Sequence, residues 1–202
     1  WLASSLGQFD GQEDLIPAPL LAHELGKALP ENGIVVADTG FSATWTAQYT
    51  AFDKPGQTYL RAAGSLGWAF PAALGAQQGA KNRPVVCFTG DGAFYYHIGE
   101  LETMRRWNIP AVIVVNNNSA LGQGLRSVKK LYERRDGNLG DLVEFQKTNF
   151  ADLAQVFGIR SFRVERAADI RPTLEKAIAL REPVVVDVVT DPDSNPEPAW
   201  SL

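Results

Sequence analysis

The sequence predicts an α/β domain: a doubly wound, mostly parallel sheet with helices on both faces. Three observations point there. Strand-like and helix-like segments alternate along the chain with short connections. The runs Ala-Val-Ile-Val-Val at 111–115 and Val-Val-Val-Asp-Val-Val at 184–189 are apolar on both faces, as central strands covered by helices on each side must be. Polar or glycine-rich turns follow the apolar runs, and ligands of such sheets sit beyond the carboxyl ends of the strands.

Each element has its own signal. Residues 17–29 place Leu20, Leu21, Leu25 and Leu29 at helical spacing, with Pro17 suited to a first turn. Ile34-Val35-Val36-Ala37 reads as a strand that ends in Asp38-Thr39-Gly40, and 41–49 as a helix. A short strand is expected at 58–60, and a closely packed, small-residue helix at 68–78. Then come a buried strand at 84–89, a helix at 99–107 and the strand at 111–115. After a long irregular or helical stretch follow helix 150–157, strand 159–164, helix 168–180 and strand 183–189. Residues 1–16 are polar and read as a linker, 17–190 as the domain, and 191–202, with its three prolines, as an irregular tail.

Composition narrows the function. The 202 residues are 45% hydrophobic and 21% charged, which is globular rather than disordered, and the net charge is −4. The cluster Arg126, Lys129, Lys130, Arg134 and Arg135 reads as a solvated helix face, so no nucleic-acid partner is expected. No apolar run approaches the ~20 residues that cross a bilayer, so no membrane partner is expected either. The single cysteine, Cys87, lies in an apolar run and reads as a small buried hydrophobe. The start Trp1-Leu2-Ala3-Ser4 has no signal core and no Met; a cut piece or processed subunit, located in the cytoplasm, is expected.

Four strand-end turns hold the chemistry: Asp38-Thr39-Gly40-Phe41-Ser42, Gly64-Ser65-Leu66-Gly67, Gly90-Asp91-Gly92-Ala93 and Asn116-Asn117-Asn118-Ser119. Glycines on both sides of Asp91 permit positive φ and close approach of an anion to backbone N–H groups. The carboxylate would repel a phosphate unless a divalent cation lay between them. The asparagine turn supplies neutral amide and carbonyl oxygens, and one carboxylate with such oxygens and diphosphate oxygens is a set that Mg²⁺ takes. Alone, Gly-Asp-Gly is more often a plain turn. Its pairing with asparagines after an intervening helix and buried strand makes it specific.

Gly90-Asp91-Gly92 and the asparagines, with Glu100 and Pro110 between, resemble the thiamine-diphosphate-binding motif. With Ala63-Gly64-Ser65-Leu66-Gly67-Trp68 and the residues on to Ala76, the chain over 17–190 is similar to the C-terminal pyrophosphate-binding domain of the acetohydroxyacid synthase and benzoylformate decarboxylase group. The resemblance implies the thiamine-diphosphate-binding fold, with thiamine diphosphate and Mg²⁺ as cofactors. It implies Asp91, the Asn117 side chain and the Ser119 carbonyl as metal ligands. Asn118 is the alternative to Asn117, because the spacing from Gly-Asp-Gly is one residue shorter than the family's. Gly40, Phe41 and Ser42 would meet the diphosphate with Gly90, Gly92, Ala93, Asn117 and Ser119, while Ser42 and Asp38 also suit helix N-caps. Gly64 and Leu66 would bond the aminopyrimidine edge through their backbone, and the Leu66 side chain would lie under the bend of the cofactor.

The family's activating glutamate belongs to a separate pyrimidine-binding domain that no segment here resembles; Glu100 reads as structural. A pyrimidine-binding subunit or domain is therefore the implied partner, in a dimer of heterodimers or a larger assembly. The implied reaction is decarboxylation of a small 2-oxo acid with carboligation to an oxo acid or aldehyde, acetolactate synthase-like. A 2-hydroxyacyl-CoA lyase, a benzoylformate-type decarboxylase and a non-catalytic cofactor-binding scaffold are the alternatives. Leu66 in place of Met and Arg126 in place of Trp depart from acetohydroxyacid synthases. Gln123, six residues beyond Asn117, stands where aldehyde-releasing decarboxylases have a glutamate; an amide is a poor proton donor and favours capture by an acceptor. His97 is a candidate to face the cofactor, and His23, Arg126 and Lys129 read as surface residues.

Overall fold

The computed structural model describes residues 15–132 and 137–196. The apolar runs become β1 (Ile34–Ala37), β2 (Thr58–Arg61), β3 (Val85–Gly90), β4 (Val112–Asn117), β5 (Arg160–Val164) and β6 (Val184–Val189). They form one six-stranded sheet in the order β2-β1-β3-β4-β6-β5, and every pairing is parallel. The order reverses between β1 and β3. Connections leave to opposite sides there, and a crevice opens at the carboxyl ends of the two strands.

The helices are, in chain order, α1 (Ala18–Ala28), α2 (Phe41–Tyr49), α3 (Ala69–Gly79) and α4 (Asp91–Tyr96). They continue as α5 (Glu100–Arg106), α6 (Gly122–Tyr132), α7 (Phe150–Val156) and α8 (Ile170–Leu180). Strand periodicity sorts the core into two layers. Val35, Val86, Phe88, Val114 and Val186 pack with Leu21, Leu25, Trp45, Tyr49 and Leu174, from α1, α2 and α8. Val36, Cys87, Ile113, Val115 and Val185 pack with Phe70, Leu74, Leu101, Met104 and Phe150, from α3, α5 and α7. Each fully buried Val, Leu or Phe contributes about 1.5–3 kcal/mol. Cys87 is buried as expected, and burial pushes its thiol up.

Two departures from the expected elements shape the cleft. β4 does not stop at Val115: Asn116 and Asn117 continue the ladder, paired with Val188 and Val189. At that depth a strand with a partner on the same level satisfies the backbone groups that a turn would leave unpaired. Likewise α4 begins at Asp91 itself, so the Gly-Asp-Gly segment is a direct strand-to-helix junction.

The described residues beside the two expected borders meet each other. Ile16 is buried and bridges to Thr190, and the Asp191 N–H donates to the Ile16 carbonyl at 2.8 Å. The Ser194 hydroxyl accepts from the Ala18 N–H at 3.2 Å. Residues 1–14 of the expected linker, 197–202 of the tail, and Arg134 and Arg135 lie outside the described residues. Among the described residues no helix is long and apolar enough to cross a membrane.

Candidate active site

A cleft of about 470 Å³ opens at the carboxyl ends of β1, β3 and β4, at the switch point. Gly40, Phe41 and Ser42 line it from the start of α2, and Gly64 and Leu66 from the turn after β2. Gly90, Asp91, Gly92 and Ala93 line it from the β3–α4 junction, facing Asn118, Ala120, Gln123 and Gly124.

Asp38, just beyond β1, holds this arrangement from beneath. Its carboxylate is fully buried and accepts from the N–H groups of Thr39 at 2.9 Å, Gly67 at 3.0 Å and Ala69 at 2.8 Å. It thus satisfies N–H groups at the start of α3 and fixes the 64–67 turn that presents Leu66. That turn needs glycine at both ends, where φ is +110° at Gly64 and +89° at Gly67. Ser42 makes no cap hydrogen bond; Gly40, with φ +66°, is the N-cap residue of α2. A side chain at Gly40 would also meet Gln123 Oε1 at 3.0 Å.

Asp91 is 2% exposed. Its Oδ1 accepts from the Gly92 N–H at 2.6 Å and its Oδ2 from the Ala120 N–H at 3.3 Å. Burial pushes its carboxyl up to about 7, against the pull of the backbone N–H groups of Gly92, Ser119, Ala120 and Asn118. It is the one carboxylate among the described lining residues, which include no Lys, Arg or His. A buried carboxylate without a cationic neighbour is costly, and a divalent ion at this mouth would offset that cost. Among the described residues no group of three His, Cys, Asp or Glu side chains could hold a metal ion. The available donors are a single carboxylate with amide and carbonyl oxygens, which fits a hard ion such as Mg²⁺ and not Zn²⁺.

The structure does not bring Asn117 or Ser119 to the cleft. Asn117 is in β4, where side chains alternate, and its Nδ2 donates to Asp187 Oδ1 at 2.8 Å and to the Thr148 carbonyl at 2.9 Å on the far face. The Ser119 carbonyl accepts from the Phe145 N–H at 2.7 Å. Asn118 and Ala120, one residue further in each case, occupy the cleft instead. Asn118 is the alternative that the short spacing leaves open; Gln123 and Gly124 also line the cleft, and neither is an acid. Ala120 had no signal of its own beyond that short spacing. His97 is exposed, packs against Gly67 and is not among the lining residues, and Lys129 pairs at the surface with Asp193 at 2.9 Å.

The fold and cleft define an α/β domain built to bind a ligand at its switch point. The family described as "Thiamine pyrophosphate enzyme, C-terminal TPP binding domain" matches residues 38–188, from the buried Asp38 to Val188 of β6, and the chain belongs to it. It is 31% identical over 197 residues to the acetolactate synthase isozyme 2 large subunit of Escherichia coli K12, covering 96% of this chain and 35% of that protein. It is 33% identical over 168 residues to a probable acetolactate synthase large subunit of Methanococcus aeolicus, covering 81% of this chain and 27% of that one. Similarity extends to a sulfoacetaldehyde acetyltransferase of Castellaniella defragrans, 34% identical over 156 residues, 77% of this chain and 25% of the relative. The chain thus spans between 25% and 35% of the length of these relatives.

Proposed function

We propose that this chain supplies the diphosphate- and Mg²⁺-binding half of an active site in a thiamine-diphosphate-dependent enzyme that joins decarboxylation of a small 2-oxo acid to carboligation. The observation that carries the reading is the buried Asp91 carboxylate, which lines the cleft with Asn118 and Ala120 and has no cationic side chain beside it among the described lining residues. Asp91, the Asn118 amide oxygen and the Ala120 carbonyl would hold Mg²⁺. Gly40, Phe41 and Ser42, at the N-terminus of α2, together with Ala93 would offer backbone N–H groups to a diphosphate, and Gly90 and Gly92 its close approach.

When bound, thiamine diphosphate supplies the electron sink for breaking and making a C–C bond next to a carbonyl. The chain's residues supply position. Leu66, held over the cleft by the Asp38-fixed turn, is the apolar wedge for the bend, and Gly64 offers its backbone beside it. Gln123 and Gly124 give the wall no acid to protonate a nascent aldehyde, which favours capture by an acceptor oxo acid or aldehyde. The reading assigns the activating glutamate to a pyrimidine-binding domain or subunit, in an assembly of at least two such pairs.

The relatives named acetolactate synthase support an oxo acid as acceptor; the acetyltransferase relative favours sulfoacetaldehyde as a second substrate to test. The test uses the full-length protein with its partner, offered pyruvate, benzoylformate, a 2-hydroxyacyl-CoA and sulfoacetaldehyde, with products identified by mass. Turnover of pyruvate to a carboligated product, dependent on Mg²⁺ and abolished by Asp91→Ala, is expected. An Asp91→Ala complex that assembles and turns over like the wild type would overturn the reading.

A further inference from the structure

β6 contains one residue that its composition does not explain: Asp187, in a strand otherwise made of valine. It is fully buried, and burial pushes its carboxyl up. A charge at such depth persists only when donors surround it. Three elements provide them. Asn117 Nδ2 at the end of β4 donates to Oδ1 at 2.8 Å; the Phe150 N–H of α7, at 2.9 Å, and Arg163 Nη1 of β5, at 2.6 Å, donate to Oδ2.

These contacts reach the cleft from behind. Asn117 also donates to the Thr148 carbonyl, and the Thr148 hydroxyl meets the Tyr95 hydroxyl at 2.5 Å. Phe145, in the same segment, donates its N–H to the Ser119 carbonyl, and its ring lies 3.2 Å from where a Cβ on Gly92 would sit. The segment 145–150 is therefore fastened to the residues on both sides of Asn118 and, at Gly92, to the residue after Asp91. Neighbouring asparagines divide the labour: Asn117, the last residue of β4, turns away from the cleft, and Asn118, just past the strand, lines it.

We propose that Asp187 is a positioning residue which, through Asn117, holds the 118–120 turn at the separation from Asp91 that a divalent cation requires. The proposal rests on the Mg²⁺ reading above and assigns Asp187 no contact with metal or substrate. Outer partners of this kind commonly change metal affinity 10- to 100-fold.

The test is Mn²⁺ binding, followed by its electron paramagnetic resonance signal, to the full-length protein with thiamine diphosphate present. Asp187→Asn and Asn117→Ala should each raise the Mn²⁺ dissociation constant about 10- to 100-fold, and the double variant should be no weaker than the worse single one, because the two act as a unit. Val186→Ala, buried on the opposite face of β6, is the stability control: it should lower the melting temperature and leave Mn²⁺ affinity unchanged. If Asp187→Asn fails to fold, Asn117→Ala decides, since it keeps the Arg163 pair. Affinities within about twofold of wild type in the foldable variants, or an equal loss in Val186→Ala, would overturn the proposal. Equal Mn²⁺ affinity in wild type and Asp91→Ala would instead sink the metal-site reading itself.

Discussion

On the reading proposed above, Asp91 meets two conflicting demands: it must be buried to line the cleft, and it must be ionised to hold a cation. Its carboxyl stands at about 7 against an ordinary 3.8, so between those values the folded state holds its proton more tightly than the unfolded chain does. Stability contributed by this residue therefore falls as pH rises from about 4 to about 7 and is level above that. In metal-free buffer, the wild type should lose on the order of 2 kcal/mol between pH 5 and pH 8 that Asp91→Asn does not lose, read by urea unfolding at both values. A variant with the same pH slope as the wild type would contradict the assignment. Gly92 answers to a steric demand: a Cβ there would lie 2.6 Å from Leu121 Cδ2. Gly92→Ala should cost about 1–3 kcal/mol by overpacking, measured by the same unfolding, and should weaken cofactor binding by pushing Leu121 and the turn away.

Among the elements, the turn at 64–67 depends on Asp38. Asp38→Ala leaves the N–H groups of Gly67 and Ala69 without their acceptor and should cost on the order of 2–4 kcal/mol in thermal unfolding. Asp38→Asn, which keeps an acceptor oxygen, should recover part of it. At α7 the Asn149 side chain accepts from the Asp152 N–H at 3.0 Å, so Asn149→Ala should cost about 1 kcal/mol.

The same scale shows what the sequence made legible. Runs such as 84–89 and 184–189 announced themselves because a strand covered on both sides has few polar positions to spare. The glycine-rich strand ends pointed to the cleft for a related reason, since close backbone approach leaves few other residue choices. The asparagines misled because polar residues after an apolar run look like a turn. Whether the ladder continues through them depends on how far β6 reaches beside β4, and only the register records that. Asp187 was hidden too: its donors come from residues 37 and 70 positions away in the chain, and from Arg163 in β5, and no local pattern links them.

For the whole molecule, every group assigned to the cofactor lies at one end of a parallel sheet, and the chain spans about a third or less of its relatives. On the reading above, this chain alone should bind thiamine diphosphate with Mg²⁺ weakly in isothermal titration and turn over no pyruvate until the pyrimidine-binding partner is added. Strong activity from the chain by itself would refute the division of the site.

The hydrogen bond from Asp191 to Ile16 ties an early and a late segment of the described chain side by side. A circular permutant that joins Asn195 to Leu15 through a short flexible bridge, reopened at the exposed Lys81-Asn82 bend, should fold to the same sheet and keep its melting behaviour.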